Sequence, residues 1–161
     1  MKYKDFIVEQ MGFCYFYSMQ IPKLKIYFAG SIRGGREFSD GYSQIIQLLG
    51  DFGRVFTEHI GNPDNIKRDE ISLSDREIHD RDMDWLRQSD LLIAEVSVPS
   101  LGVGYEIGRA IHLEKPVLCL YRKDTTGHLS AMISGSNDLD CYEYNDLKEV
   151  SSAVQRFIAA L

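Results

Sequence analysis

Two carboxylates and one glycine-rich loop hold most of the chemistry that can be read from this chain. Glu106 stands among glycines in Ser100-Leu101-Gly102-Val103-Gly104-Tyr105-Glu106, at what the spacing predicts to be the start of a helix. An acid there complements the helix dipole, an effect of ~0.3–1 kcal/mol. The same place would keep a carboxylate ionised for nucleophilic attack on a sugar C1′. Gly102 and Gly104 would let a sugar approach the backbone, and Ser100 could donate to a phosphate. Local physics leaves both readings of Glu106 open.

Asp82 is the second carboxylate. In the helix expected from Asp75, the apolar residues Ile78, Trp85 and Leu86 mark a core stripe, and Asp82 lies four residues from Ile78 and three from Trp85. Helical spacing therefore turns it inward. A buried acid costs several kcal/mol unless it is paired, so Asp82 is either a brace for a neighbouring loop or a working group. His79, one turn earlier, is a candidate to share its network, whereas Asp80 and Asp84 point elsewhere and are expected to be solvated.

The loop Gly30-Ser31-Ile32-Arg33-Gly34-Gly35-Arg36 suits an anion: glycines let backbone amides approach a phosphate, and guanidiniums pair with it. It is neither a P-loop nor a GxGxxG fingerprint, and a plain glycine-rich connection reads equally well. In Thr57-Glu58-His59, the histidine is either a packed residue or a ligand-facing one.

The elements that must position these groups alternate. Lys25-Ile26-Tyr27-Phe28-Ala29 reads as a first strand, Tyr42 to Leu49 as a helix, and Arg54 to Thr57 as a second strand followed by a polar loop to about Ser74. Ser74 with Glu77 forms a capping-box pattern that starts a helix running to about Gln88. Leu91 to Val96 is a near-continuous apolar run of the kind buried in a parallel sheet. The glycine-rich segment then leads into a helix to about Glu114, Pro116 to Tyr121 and Cys141 to Tyr144 supply two further strands, and Asn145 to Ala160 a final helix. This pattern predicts an α/β domain, a doubly wound five-stranded parallel sheet of flavodoxin or Rossmann-like type with helices on both faces. Ligands of such folds bind at the carboxyl ends of the strands, which selects the segments after Ala29, Phe56 and Val96.

The 161 residues suit one domain, with 26% charged and 44% apolar residues arguing against disorder. A net charge of -6 argues against broad nucleic-acid binding but leaves room for a small anionic ligand. Cys14, Cys119 and Cys141 are widely spaced and form no metal-binding pattern, as expected of reduced thiols in a cytoplasmic or nuclear protein without a structural zinc. The aromatic-rich segment 1–22 is interrupted by charges and is not read as a signal peptide, and no run has the length of a membrane span.

Taken together, IYFAGSIRGGR (Ile26 to Arg36), TEH (Thr57 to His59), HDRDMDWL (His79 to Leu86), AEVSVPSLGVGYEIGRA (Ala94 to Ala110) and LSAMI (Leu129 to Ile133) resemble the 2′-deoxynucleoside 5′-monophosphate N-glycosidases, part of the nucleoside 2-deoxyribosyltransferase family. The resemblance implies a catalytic domain over 23–161 with 1–22 as an N-terminal extension. It implies Glu106 as nucleophile and Asp82 as the group that assists sugar positioning and proton transfer. It places Tyr27, Gly30, Ser31, Ile32, Arg33, Gly34, Gly35, Arg36, His59, Ser100 and Gly102 at the nucleotide. It also implies a homodimer in which Ser130, with Ala131 and Met132, reaches the 5′-phosphate in the neighbouring subunit. The implied reaction frees the base from 2-deoxyribose 5-phosphate and needs no metal or redox cofactor. A ribonucleotide N-glycosidase, a deoxyribosyltransferase and a non-catalytic nucleotide sensor are the alternatives. The segment from Ile60 to Ser74 follows no matching pattern, so the base is left open.

Overall fold

The computed structural model describes residues 24–31, 39–57, 61–62, 64–65, 71–123 and 128–161. The boundary expected near residue 22, with Cys14, lies outside these, as do Ile32, Arg33, Gly34, Gly35, Arg36 and His59. Five strands form one sheet: β1 (Leu24–Ala29), β2 (Gly53–Val55), β3 (Leu91–Glu95), β4 (Val117–Arg122) and β5 (Asp140–Tyr144). All four neighbouring pairs are parallel, in the order β2-β1-β3-β4-β5. This is the flavodoxin-like strand order, in which the chain winds outward in opposite directions from β1 and β3 and leaves a crevice at their carboxyl ends.

Alternation along the strands builds two cores. Ile26, Phe28, Leu91, Ile93, Leu118 and Leu120 face α1 (Ser39–Leu49) and the last helix, α5 (Leu147–Ala159). Tyr27, Ala29, Leu92, Ala94, Val117 and Cys119 face α2 (Asp75–Gln88) and α3 (Leu101–His112). Every residue of β3 is buried, as a strand covered on both faces requires.

Local chemistry sets the helix ends. Ser74 accepts the Glu77 amide and Glu77 reaches back to the Ser74 amide at 2.8 Å, so the capping box that starts α2 is complete. Asp146 caps α5 by accepting the Lys148 and Glu149 amides at 2.8 and 3.0 Å. The end of β2 and the inner face of α2 differ from the sequence reading. β2 ends at Val55 because the Thr57 side chain takes over the ladder: its hydroxyl accepts the Phe28 amide at 2.9 Å and donates to the Phe28 carbonyl at 2.5 Å. The buried positions of α2 are Met83 and Leu86, with Ile78 and Trp85 only partly covered, so its inner face is rotated from the expected stripe.

β1 and β2 approach most closely at Gly53. A Cβ there would fall onto the Leu24 carbonyl, a backbone atom that cannot step aside. Gly53→Ala is therefore expected to destabilise the protein by about 2 kcal/mol, read as a lower urea midpoint, while Gly104→Ala, which meets no neighbouring atom, leaves that midpoint within about 1 kcal/mol.

Candidate active site

β1 carries Tyr27 on its α2/α3 face, fully buried and close to the carboxyl end of the sheet. Its hydroxyl donates to Oε1 of Glu106 at 2.7 Å, a contact spanning 79 residues of sequence. Asp82 stands close enough that its charge acts on both groups. The structure thus brings Tyr27, Asp82 and Glu106 together from β1, α2 and α3.

The electrostatics differ from the sequence expectation. α3 begins at Leu101 with Ser100 as its cap, so Glu106 lies in the second turn and the first turn holds no acid. The dipole effect fades within the first turn and does not govern this carboxyl. Burial does: it pushes the Glu106 pKa up to about 7, with the Tyr27 hydrogen bond working against the rise and the Asp82 charge adding to it. Burial therefore favours the protonated acid to a much higher pH than for an exposed glutamate. Its residue remains partly open to solvent, so a ligand can reach it.

Asp82 is inward but not sealed, with 21% of its side chain exposed. Nε of Arg81 donates to its Oδ1 at 3.0 Å, and the same guanidinium lies over the Trp85 ring at 4.7 Å. Arg81 is a partner that helical spacing did not single out. His79 does not join this network: its Nδ1 meets Asp80 at 3.0 Å and its Nε2 the Tyr105 hydroxyl at 3.2 Å. Asp80 and Asp84 are exposed, as expected.

The remaining candidates fall around this centre. Ser31 is buried at the turn after β1, and a Cβ on Gly30 would come within 3.3 Å of the Tyr42 ring, so only glycine fits there without displacing that ring. Ser100 accepts the Val103 amide at 3.4 Å and keeps its hydroxyl proton to give elsewhere. Gly102 has no close neighbour beyond the Ser100 hydroxyl, which leaves its backbone approachable. Ser130 caps a short helix, α4 (Ala131–Ser134), and lines with Ser100, Gly104, Ile107 and Met132 a largely apolar cleft of about 580 Å3. Within one chain Ser130 therefore reaches the outer side of α3 and not the Tyr27–Glu106 pair.

A parallel α/β sheet with paired acids at its switch point defines a small-ligand enzyme scaffold. The profile of the nucleoside 2-deoxyribosyltransferase family matches residues 26–141, and the chain belongs to that family. A 5-hydroxymethyl-dUMP N-hydrolase of Tetraodon nigroviridis is 45% identical over 139 residues, 84% of this chain and 98% of that protein. The Homo sapiens protein of the same name is 44% identical over 138 residues, 84% of this chain and 79% of its own length. The solved structure of Clostridium botulinum CMP N-glycosidase, BcmB, superposes with a TM-score of 0.55 at 22% identity, covering 83% of this chain and 99% of that one, and bears out the fold.

Because the Tyr27 hydroxyl is what opposes the effect of burial on Glu106, Tyr27→Phe is expected to raise the Glu106 pKa further, by about one unit. A carboxyl-detected NMR titration, assigned with Glu106→Gln, reads this directly.

Proposed function

We propose that this protein hydrolyses the N-glycosidic bond of 2′-deoxynucleoside 5′-monophosphates, releasing the base and 2-deoxyribose 5-phosphate, with 5-hydroxymethyl-dUMP as the first substrate to try. The observation that carries the reading is the Glu106 carboxyl, held by Tyr27 beside Asp82 at the ligand-binding edge of the sheet. The activity for which the relatives at 44–45% identity are named supports the substrate class.

In this reading the ionised form of Glu106 bonds to C1′ as the bond from C1′ to the base nitrogen breaks, through an oxocarbenium-like state. Asp82 gives a proton to the departing base. Water then attacks C1′, Asp82 recovers its proton from that water, and Glu106 leaves as a carboxylate. Tyr27 serves both halves of the cycle, since its hydrogen bond stabilises the carboxylate that attacks and is later expelled. Ser31, Ser100 and the backbone of Gly30 and Gly102 hold the sugar phosphate, with Ile32, Arg33, Gly34, Gly35 and Arg36 completing the anion site and His59 near the substrate. No step calls for a metal or redox cofactor.

The proposal extends to a homodimer. Leu101 is 97% exposed and Met132 83% exposed beside the apolar cleft that holds Ser100 and Ser130. A second copy packed there would cover these side chains and bring its Ser130, Ala131 and Met132 to the 5′-phosphate. Met132→Asp is then expected to shift the protein to the monomer by light scattering and to raise KM at least tenfold.

Incubation with a panel of nucleoside monophosphates, followed by chromatography, tests the reaction. Free base is expected from deoxynucleotides and from none of the corresponding unphosphorylated nucleosides; the absence of release from every deoxynucleotide overturns the reading. Glu106→Ala should lower turnover by at least about 1,000-fold. Since the nucleophile must be ionised, kcat/KM should rise with pH as Glu106 ionises, around 7, and fall again once Asp82 no longer carries the proton it gives to the base.

A further inference from the structure

Glu95 takes no part in this reaction, yet it is the most deeply buried acid among the described residues, at 1% exposure. It ends β3, and alternation turns its side chain to the α1/α5 face, opposite Tyr27 and Glu106. Its Oε1 accepts the Ser97 hydroxyl and, at 3.1 Å, the Tyr144 hydroxyl, while Oε2 has no hydrogen-bond partner among the described residues. A carboxyl in such a place costs several kcal/mol and calls for an explanation.

Its surroundings reach the β3–α3 turn. Ser97 follows β3, and its hydroxyl oxygen accepts the Arg122 amide at 2.8 Å, which ties the β3–α3 turn to the end of β4. On the other side stands Tyr42 of α1, 3% exposed and within electrostatic reach of Glu95. The Tyr42 ring lies behind Gly30, and its hydroxyl, like Oε2 of Glu95, has no hydrogen-bond partner among the described residues. The β3–α3 turn, which carries Ser100, therefore rests on one buried acid through Ser97. The groups around it are Tyr42 from α1, Ser97 from the turn, the Arg122 side chain from β4 and Tyr144 from β5, with Asp146 and Lys148 at the rim of an adjoining cleft of about 450 Å3.

We propose that Glu95 is a positioning residue that clamps the β3–α3 turn through Ser97, so that Ser100 meets the 5′-phosphate in fixed register. The choice of ligand rests on the N-glycosidase reading. Burial raises the Glu95 pKa and favours the neutral acid, against the hydrogen bonds from Ser97 and Tyr144 and the charge of Arg122. A glutamine can set its carbonyl oxygen where Oε1 accepts the Ser97 and Tyr144 hydroxyls, and so keeps the clamp without the carboxyl.

The test measures 2-deoxyribose 5-phosphate binding by calorimetry, and KM and kcat for 5-hydroxymethyl-dUMP, in the wild type, Glu95→Gln, Glu95→Ala and Ser97→Ala, with folding checked by circular dichroism. Glu95→Ala and Ser97→Ala are expected to weaken sugar-phosphate binding and raise KM about tenfold, with kcat within about threefold, because the clamp acts on the turn that carries Ser100 and not on Glu106. Glu95→Gln is expected to stay within about threefold of the wild type throughout. Should Glu95→Ala not fold, Ser97→Ala against Glu95→Gln carries the comparison. Wild-type affinity in folded Glu95→Ala or Ser97→Ala, a loss in kcat alone, or an equal loss in the glutamine and alanine variants overturns the clamp while leaving the N-glycosidase reading in place. A wild-type protein that neither binds the sugar phosphate nor cleaves any monophosphate overturns that reading and the clamp with it.

Discussion

The hydrogen bond from Tyr27 to Glu106 is the interaction on which the site depends. It joins the middle of the sheet to the second turn of α3, and it sets how far burial can raise the carboxyl. Each participant needs its own support. Tyr27 can be fully buried because β1 is flanked by strands on both sides and covered by α2 and α3 on that face. Glu106 can point at it because Val103, Ile107 and Ala110 seat α3 on the same face of the sheet. One residue of slippage in β1 would turn Tyr27 to the opposite core and leave Glu106 without its donor.

Glu106 and Asp82 lie within electrostatic reach of each other, the first pushed up by burial and the second hydrogen-bonded to Arg81. The raised pKa of Glu106 has a cost as well as a use. An acid whose pKa is higher in the folded state than in the unfolded chain costs nothing below the unfolded value. The penalty grows as pH rises from about 4.5 to 7 and stays above that, so the site subtracts stability at the pH where this carboxyl is ionised. The cores on the two faces of the sheet must supply the difference.

Much of the architecture was legible in the sequence because the governing signals are local. The capping box at Ser74 and Glu77, the apolar run from Leu91 and the strand–helix alternation each depend on residues a few positions apart, and each element formed where the pattern placed it. The resemblance to known N-glycosidase motifs located Glu106 and Asp82, but not what holds them. The Tyr27 hydroxyl, the Arg81 pair and the second-turn position of Glu106 follow from tertiary distances that no spacing rule encodes. The helix-dipole argument failed because it needed the helix start to within a few residues, and sequence patterns fix boundaries less well than element type. Glu95 was hidden by its neighbours, since a single acid closing the run Leu91-Leu92-Ile93-Ala94 was read as part of an apolar strand. An acid at the buried end of a strand was itself the signal that could have marked it.

Thr57 has a wider consequence. A side chain, not the backbone, closes the last rung between the second strand and Phe28, with one hydroxyl serving as both acceptor and donor. The ladder is therefore complete before the chain enters the polar stretch that follows. Substitutions, insertions or deletions in that stretch need not tug on the strand bearing Tyr27. A scaffold closed off in this way can accept a different polar stretch there while the side chains of the first strand stay where they are.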